Sequence, residues 1–507
     1  MSSSSGANEG LDRKLLAIAS VVVLGAIMSI LDTTVVNVAI NTLARDFETE
    51  LATIQWIVTG YTLALATVIP VTGWAADRFG TKRLYILAIT LFVAGSALCG
   101  AAWSAESLIF FRVLQGLGGG MLMPAGMTIL TRAAGPQRVG RVMAIIGVPM
   151  LLGPILGPIL GGWLVDEASW RWIFFINLPI GVVAFLLALR ILPKDKPEPG
   201  ERFDTLGLAL LSPGLALMIY GLAESASSGG FGSVEVWGTG LIGAALVVAF
   251  VFHALRTPHA LIDLRLFKNR TFAAATGTLM LMIISVFGAM LLLPLYLQAV
   301  RGESAFDSGL LLAPQGIGAM IVMPIAGQLA DRVGIAKLVL PGLTILLAST
   351  IGLTTLTGDT SYWTLSAILF VMGVGMGFTM MPLMTGALQT LRRIQIARAS
   401  TTVNIIQQVG ASIGTAVMSV ILTVALRDRL GGPATEGSPE AGLGQTGANL
   451  PLEVRDIMAG AFTHTYWWAV ALIVPAILAA FLLPFVKPEP VEDEGDPGDA
   501  APVLMHA

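Results

Sequence analysis

Two charged side chains occur inside apolar stretches of this chain of 507 residues, and they are the first candidates for chemistry. Asp32 lies between Lys14 and Arg45, which buries it within a hydrocarbon layer if this run is a helix rising about 1.5 Å per residue. Burial favours the neutral form of a carboxyl group, whereas a nearby cation favours the charged form. We therefore predict that Asp32 binds a proton and that its occupancy depends on the access of water or of a cation. The alternative is a structural aspartate satisfied by neighbouring helices.

Arg112 is the second charged residue of this kind, and it lies near the start of another apolar run, shortly after Glu106. A guanidinium keeps its proton, so a buried arginine must be paired or hydrogen-bonded. We predict a depth in the layer similar to that of Asp32. A structural tie to backbone carbonyls is the alternative.

The elements that must position these residues are membrane-spanning helices. Hydrophobic residues make up 55% of the chain and charged residues 12%, and the mean hydropathy is +0.81. A hydrocarbon layer about 30 Å thick needs about 20 helical residues, and helices satisfy their own backbone groups there. We predict an all-α polytopic membrane protein with 14 spans. These are centred in 15–38, 52–72, 84–103, 107–131, 140–164, 172–191, 204–223, 236–256, 272–298, 308–329, 338–357, 362–388, 399–426 and 466–486.

An internal repeat divides the spans into two halves. The sequence GWAADRFGTKR over 73–83 recurs in degenerate form as GQLADRVGIAK over 327–337, each time between two apolar runs. Glycines in a short link allow two helices to turn tightly, and the acid and arginine that follow would lie where the helices leave the bilayer. We predict two similar bundles that rock against each other, although charges in such a loop are commonly only solvated. The predicted gate residues are Gly73, Asp77, Arg78, Gly80, Lys82, Arg83, Asp331 and Arg332.

The predicted organisation follows from these runs and from the distribution of charge. Most of the 29 Lys and Arg residues fall in alternate connections, which places both termini in the cytoplasm and the protein in the plasma (inner) membrane. Polar tails are expected to be disordered. The predicted parts are a cytoplasmic N-terminal tail (1–14), an N-terminal six-helix bundle (15–191), a linker with two extra spans (192–256), a C-terminal six-helix bundle (257–486) with an extracytoplasmic loop (427–465), and a disordered cytoplasmic tail (487–507).

Several classes of function are disfavoured by composition. A net charge of −3 argues against a nucleic-acid partner, and the single cysteine, Cys99, excludes an internal disulfide and a cysteine metal cluster. The sequence contains no Gly-Lys-Ser phosphate loop, which argues against a pump driven by ATP. We expect no catalytic residues, no metal and no cofactor, so that an ion gradient or the gradient of the substrate supplies the energy. The sequence does not decide whether an obligate protein partner exists.

Three motifs carry a resemblance to a known family. The link 73–83 resembles the loop signature between spans 2 and 3 of the major facilitator superfamily, from which it departs at Ala75 and Thr81. The sequence RVLQGLG over 112–118 is similar to the second signature of the family, and GPILGPILGG over 153–162 matches every fixed position of the antiporter signature. With LDTTVVNVAI, QWIVTGY and WRWIFFINLPIG, the chain resembles the fourteen-span drug:proton antiporters of the EmrB/QacA type. The resemblance implies proton transfer at Arg112 and gating at Asp77.

The glycines of the third motif also have a direct interpretation. Gly153, Gly157 and Gly161 recur every four residues, so they lie on one helix face and allow another helix to approach closely. A packing groove alone explains that pattern. With Pro158 and Gly162, the resemblance implies a seal between domains that limits proton leak.

We expect a proton-coupled multidrug exporter that works by alternating access on amphipathic, often monocationic small molecules, with protons and membrane lipids as its other partners. Alternatives are an exporter of one lipid or secreted metabolite, an uptake symporter or facilitator, and a sensor that does not transport. The substrate cavity is expected at the midplane between the bundles. Its candidate residues are Asn37, Trp56, Tyr61, Gln115, Met123, Tyr296, Gln298, Gln315, Asn404 and Gln408.

Overall fold

The fold is known from a computed structural model, which describes most of the apolar part of the chain. The described residues are 13–49, 51–134, 138, 153, 156–157, 159–165, 167–194, 203–227, 234–257, 260–330, 332–391, 395–430 and 452–486. Apart from residues 13 and 14, both predicted tails lie outside these ranges. Within them every regular element is helical, as the apolar runs predict.

The helices are numbered here in chain order. A short 3-10 helix, Leu264–Lys268, precedes the second half. The α-helices are α1 Arg13–Asp46, α2 Leu51–Phe79, α3 Thr81–Gly100, α4 Ala105–Ala134, α5 Trp172–Phe175, α6 Asn177–Ile191, α7 Thr205–Ser227, α8 Val234–Arg256, α9 Arg270–Ala299, α10 Ala305–Ala330, α11 Ala336–Leu353, α12 Tyr362–Gln389, α13 Ile396–Leu430 and α14 Leu452–Ala480.

The number of spans differs from the prediction. Among the described residues, 12 helices are long and apolar enough to cross a membrane, so the count of 14 is not confirmed. Predicted span 5 (140–164) falls largely outside the described ranges. The apolar part of α7, Thr205–Gly221, is shorter than the other candidates.

The structure adds detail in two predicted regions. Predicted span 6 (172–191) is one candidate span, Trp172–Ile191. Ile176, which separates α5 from α6, keeps a helical backbone (φ −59°, ψ −28°), and its amide donates to the carbonyl of Trp172 at 3.0 Å. Within the predicted loop 427–465, the residues up to Leu430 belong to α13 and those from Leu452 belong to α14. Arg455 holds the first turns of α14 in place by donating to the carbonyl of Val300 at 3.0 Å. The remaining connection, 431–451, lies outside the described residues.

The two halves meet along α13, which packs against α2 and α4. The contact lies at the end of the bundle that carries the link 73–83, called the hinge end below. A Cβ atom added to Gly73 would lie 2.9 Å from Oγ1 of Thr401 and 3.5 Å from the carbonyl oxygen of Ala397. Asn404 donates to the sulfur of Met127 at 3.1 Å. Helix α13 is therefore the element of the second half that closes this end.

The inserted hairpin α7–α8 lies beside this junction. It packs against α2 and α13, and the Ser212 hydroxyl donates to the carbonyl of Thr67 at 2.7 Å. Ile405 of α13 shares an apolar cluster with Leu211 and Leu215 of the hairpin. The hairpin thus contacts both halves on one side of the molecule.

Candidate functional site

The structure brings the two predicted charges of the N-terminal half into direct contact. Arg112 Nη1 lies 2.5 Å from Asp32 Oδ2, and each residue is 1% exposed. Asp32 comes from the middle of α1 and Arg112 from the second turn of α4. Because both charges are removed from water, each requires the other, and loss of either partner leaves an uncompensated buried charge.

Arg112 has further partners besides the carboxylate. Its Nε donates to the carbonyl of Ile57 at 3.2 Å, and its Nη1 donates to Oε1 of Gln115 at 2.9 Å. The guanidinium carbon lies 3.9 Å from the ring centroid of Tyr61, a distance at which a cation is attracted to an aromatic face. The arginine therefore joins α1, α2 and α4 through one rigid group.

The other oxygen of Asp32 accepts hydrogen bonds from two amides. Gln115 Nε2 donates to Oδ1 at 2.7 Å, and Asn177 Nδ2 of α6 donates to the same atom at 3.2 Å. Gln115 and Asn177 are 0% and 1% exposed. The Asp32 carboxylate thus accepts hydrogen bonds from Arg112, Gln115 and Asn177.

Small residues on α4 allow the close approach that this network needs. A Cβ atom at Gly116 would lie 2.7 Å from the carbonyl oxygen of Tyr61, and one at Gly118 would meet the amide nitrogen of Phe92. Only glycine permits backbones to pack at such distances. The glycines of RVLQGLG thus bring α4 against α2 and α3 and carry Arg112 into the bundle.

The predicted antiporter glycines pack against α1 beside Asp32. A Cβ atom at Gly153 would overlap with the side chain of Ile30, and one at Gly157 would overlap with that of Thr34. The Thr34 hydroxyl also donates to the carbonyl of Gly153 at 3.1 Å. A Cβ atom at Gly161 would lie 3.0 Å from Val35, whereas one at Gly162 would meet no described atom within 4 Å. The described glycines thus contact the helix that holds the carboxylate; Pro158 lies outside the described residues.

Replacement of Gly157 by alanine is expected to impair transport in protein that still reaches the membrane. The added methyl group overlaps with Thr34, and overpacking of this kind costs about 1–3 kcal/mol and displaces α1 near Asp32. Gly162→Ala is the matched control, since its methyl group meets open space. Efflux of a fluorescent substrate from cells, normalised to membrane expression, measures both. Equal efflux from the two variants would contradict a role for this contact.

The predicted gate residues of the link 73–83 contact several different helices. Asp77 of α2 forms an ion pair with Arg132 of α4 at 2.9 Å, and its charge also interacts with that of Arg398 on α13. Lys82 donates to the carbonyls of Leu189 and Leu192 at 2.7 Å each, where α6 ends.

Among the remaining predicted gate residues, the two glycines matter through their backbone, and the described arginines lie at the surface. Gly80 has φ 88°, a conformation that residues with a Cβ atom rarely adopt, and Gly73 faces α13. Arg78, Arg83 and Arg332 are exposed. Asp331 lies outside the described residues.

The ten cavity candidates occupy several environments. Tyr61 and Gln115 belong to the Asp32 network described above. Trp56 is 43% exposed and stacks on Tyr220 of the inserted hairpin at 5.6 Å, and Tyr296 donates to the carbonyl of Thr357 at 2.6 Å.

The other candidates are divided between the two halves. Gln315 donates to the sulfur of Met376 at 3.3 Å, and Asn404 contacts Met127 across the junction of the halves. Met123 and Gln408 are partly buried and Gln298 is exposed. The side chain of Asn37 lies outside the described residues.

Sequence reasoning did not single out three residues that the structure places at these sites. Asn177 contacts Asp32, and Ser96 of α3 accepts from Asn177 at 3.2 Å. Arg132 pairs with Asp77. In the sequence, Asn177 is a polar residue within the apolar stretch WRWIFFINLPIG, and Arg132 is a cation at the end of a span. These features could have pointed to the two residues.

The residues present suit ion-pair and hydrogen-bond chemistry. Within the described ranges, no group of three His, Cys, Asp or Glu side chains is arranged to hold a metal ion. Cys99 is buried, and its thiol lies 3.4 Å from Oε1 of Gln115. The principal chemistry that this site supports is therefore protonation of one carboxylate beside one permanent cation.

A duplicated bundle of apolar helices around a buried ion pair defines a multi-pass membrane transporter. The chain matches the family model described as Major Facilitator Superfamily over residues 22–415, and it belongs to that superfamily. It is 46% identical over 493 residues to the "Multidrug resistance protein B homolog" of Mycobacterium tuberculosis (strain ATCC 25618 / H37Rv), covering 94% of this chain and 91% of that protein. It is 33% identical over 397 residues to the "Multidrug export protein EmrB" of Haemophilus influenzae, covering 78% of each.

Solved structures of low sequence identity share the fold. The human organic anion transporter TETRAN superposes with a TM-score of 0.57 at 14% identity, covering 90% of this chain and 99% of that chain. The proton:xylose symporter XylE superposes with a TM-score of 0.59 at 14% identity, covering 92% and 95%. At this identity the similarity concerns the arrangement of helices.

Proposed function

We propose that this protein is a proton-coupled multidrug efflux transporter that exports amphipathic, often monocationic molecules by alternating access. The buried pair of Asp32 and Arg112 carries the proposal, because it is a protonatable acid held beside a permanent cation inside a membrane bundle. The names of the two relatives support drug efflux as the direction of transport. The antiporter motif, which packs on α1 beside Asp32, supports coupling.

The pair supplies an electrostatic mechanism for exchange. With Asp32 ionised, its charge compensates that of Arg112 and the pair is neutral as a whole. Protonation of Asp32 leaves the arginine uncompensated, so the site gains one positive charge in a medium of low dielectric. A substrate cation in the same half of the protein is then repelled. Proton entry from outside therefore releases substrate outward, and proton loss to the cytoplasm restores affinity.

The closed end of the bundle supports an assignment of the conformation. Helix α13 packs against α2 and α4 at the hinge end, where Gly73 faces Thr401. The excess of Lys and Arg in the connections at this end supports its cytoplasmic location, with both termini on the same side. The conformation is then one closed toward the cytoplasm. Opening requires α13 to leave Gly73 and Met127, and we assign the loss of the proton from Asp32 to the cytoplasm to the step that follows this change.

We further propose the fourteen-span arrangement of the EmrB/QacA type. The described residues of predicted span 5 are helical, and α7 has 23 residues although only part of it is apolar. Helix α7 also pairs with the candidate span α8 in one hairpin. The two additional spans would be α7 and α8, lying between two six-helix bundles.

The function is tested by substrate charge in inverted membrane vesicles. One proton changes the charge of the Asp32 site by one, so we expect monocations and neutral amphiphiles to be exported better than dications. Exchange of one proton for one monocation moves no net charge, so a pH gradient drives it. The membrane potential, worth about 2.3 kcal/mol per charge per 100 mV, should have little effect.

The measurement is dye transport with the pH gradient and the membrane potential imposed separately, using vesicles without the protein as the control. Robust dication export or strong voltage dependence for a monocation would require a second proton or another acid. In exchange, dye and protons cross the membrane in opposite directions. Dye that moves in the same direction as the protons would indicate an uptake symporter.

A further inference from the structure

The hydrogen bonds around Asp32 determine how both neighbouring amides are oriented. Oε1 of Gln115 accepts from Arg112 Nη1 at 2.9 Å, so the amide nitrogen of Gln115 must face Asp32. Asn177 uses its amide nitrogen twice, toward Asp32 Oδ1 and toward Ser96 Oγ, each at 3.2 Å. Ser96 in turn donates its single hydroxyl hydrogen to the carbonyl of Phe174 at 2.9 Å. The chain of donors therefore runs from Asn177 through Ser96 to α5.

This arrangement provides hydrogen-bond donors, which suit an ionised Asp32, but it does not provide the acceptor that a protonated Asp32 needs. A protonated carboxyl group donates through its O–H and needs an acceptor. Arg112 has no acceptor atom, and the oxygen of Gln115 is already bound by Arg112 and Cys99. Asn177 can supply an acceptor by rotation of its amide, which exchanges its nitrogen and oxygen.

We propose that Asn177 is a positioning residue that transmits the protonation of Asp32 to the short helix α5. The inference rests on the proposed function, because it assigns a consequence to the proton that drives transport. When Asp32 is protonated, the amide of Asn177 turns and its oxygen accepts from the carboxyl O–H. The proton stays on Asp32, and only hydrogen bonds are exchanged.

The rotation changes the partner of Ser96. The Ser96 hydroxyl faced an amide nitrogen and now faces an oxygen, so it donates to Asn177 and leaves the carbonyl of Phe174. That carbonyl lies one residue before the last residue of α5. Loss of this hydrogen bond removes a tie between α3 and α5 and frees α5 to move relative to α3. Proton binding on α1 is thereby conveyed to a different helix of the same half.

The titratable and charged groups around the carboxylate are known for the described elements. Arg112 faces it from α4, and the interactions of that arginine also include Tyr61 on α2 and Cys99 on α3. On the side of α6 the contact is made by the neutral Asn177. A change in the pH response on mutation of Asn177 or Ser96 therefore reports hydrogen bonding rather than loss of a charge.

The inference is tested by titration of Asp32 in the purified full-length protein. The C=O stretching band of a protonated carboxyl group, identified by its absence in Asp32→Asn, is followed by infrared difference spectroscopy against pH. Asn177→Leu removes a donor from the ionised carboxylate, and a bond to a charged group is stronger than one to a neutral group. We expect the midpoint to move to higher pH by about one unit.

Ser96→Ala keeps Asn177 and removes the group that holds its amide nitrogen in place. Rotation then costs less, so the midpoint should again move to higher pH, by about half a unit or more. Ser285→Ala is the matched control. Its hydroxyl makes the same type of bond between helices, to the carbonyl of Ala469 at 2.8 Å, and it is equally buried but remote from any carboxylate of the network. It should titrate as the wild type does.

An unchanged midpoint in Asn177→Leu would overturn the inference, and so would a Ser96→Ala protein that titrates like Ser285→Ala. A purely structural role would lower thermal stability in both serine variants without moving either midpoint. The spectroscopic reading does not depend on transport. A wild-type protein that titrates at Asp32 and yet shows no proton-driven efflux would contradict the proposed function and leave this inference intact.

Discussion

Asp32→Asn is expected to abolish efflux driven by a proton gradient while the protein still reaches the membrane. The amide keeps the shape of the side chain but cannot take up or release a proton. It also leaves Arg112 without its counter-charge, as protonation of Asp32 does, so the variant should resemble the proton-loaded state. Removal of one member of a buried pair costs about 3–5 kcal/mol, and we expect a lower thermal unfolding temperature than that of the wild type.

The measurement is dye efflux in inverted vesicles under an imposed pH gradient, with substrate binding followed separately by fluorescence. Glu106→Gln is the control, because this carboxylate is fully exposed at the start of α4 and neutralising it should leave efflux unchanged. Gradient-driven efflux at the wild-type rate in Asp32→Asn would remove the carboxylate from the mechanism.

Arg112→Lys should reduce efflux by about tenfold or more although the positive charge is retained. The guanidinium simultaneously donates to Asp32, Gln115 and the carbonyl of Ile57, and its central carbon lies 3.9 Å from the ring centroid of Tyr61. A lysine ammonium is a compact charge on a flexible stem, so it cannot reproduce this fork of donors. Loss of one hydrogen bond to a charged group is worth about 1.5–3 kcal/mol, and 1.36 kcal/mol corresponds to a factor of ten.

Arg171→Lys provides a matched comparison outside the network. Arg171 donates to the carbonyl of Ala102 at 3.2 Å and stacks on Trp170 at 4.3 Å, but it does not contact the carboxylate of Asp32. The two lysine variants are compared by efflux rate after normalisation to expression. If Arg112→Lys were as active as Arg171→Lys, positive charge alone would be sufficient at this position.

The helical class of the fold, the duplication and the membrane location were predictable from the sequence. Hydrocarbon has no hydrogen-bonding partners, so long apolar runs must form helices, and this rule needs no knowledge of packing. Asp32 and Arg112 were also identifiable as candidate functional residues from the sequence. Burying an ionisable group in an apolar run costs free energy, and such groups usually have a function. The number of spans was less secure, since α7 has a short apolar segment and its assignment depends on its neighbours.

The partners of each residue were not predictable in the same way. Lys82 is predicted as a gate residue from its place in the link 73–83, and the structure adds that it donates to the carbonyls at the end of α6. Trp56 is predicted as a cavity residue, and the structure adds that it stacks on Tyr220 of α7. In both cases the partner comes from a distant part of the chain, and no local pattern identifies it.

The sequence by itself determined which groups are costly to bury, because cost depends on residue type and on the hydropathy of the surrounding run. Only the tertiary structure decided which of those groups meet. Asp32, Arg112 and Asn177 lie on three helices, and their contact depends on glycines of α4 that let backbones approach within van der Waals distance. Distances of this kind are set by packing between helices, which is a property of several segments together and is not encoded in the period or composition of any one of them.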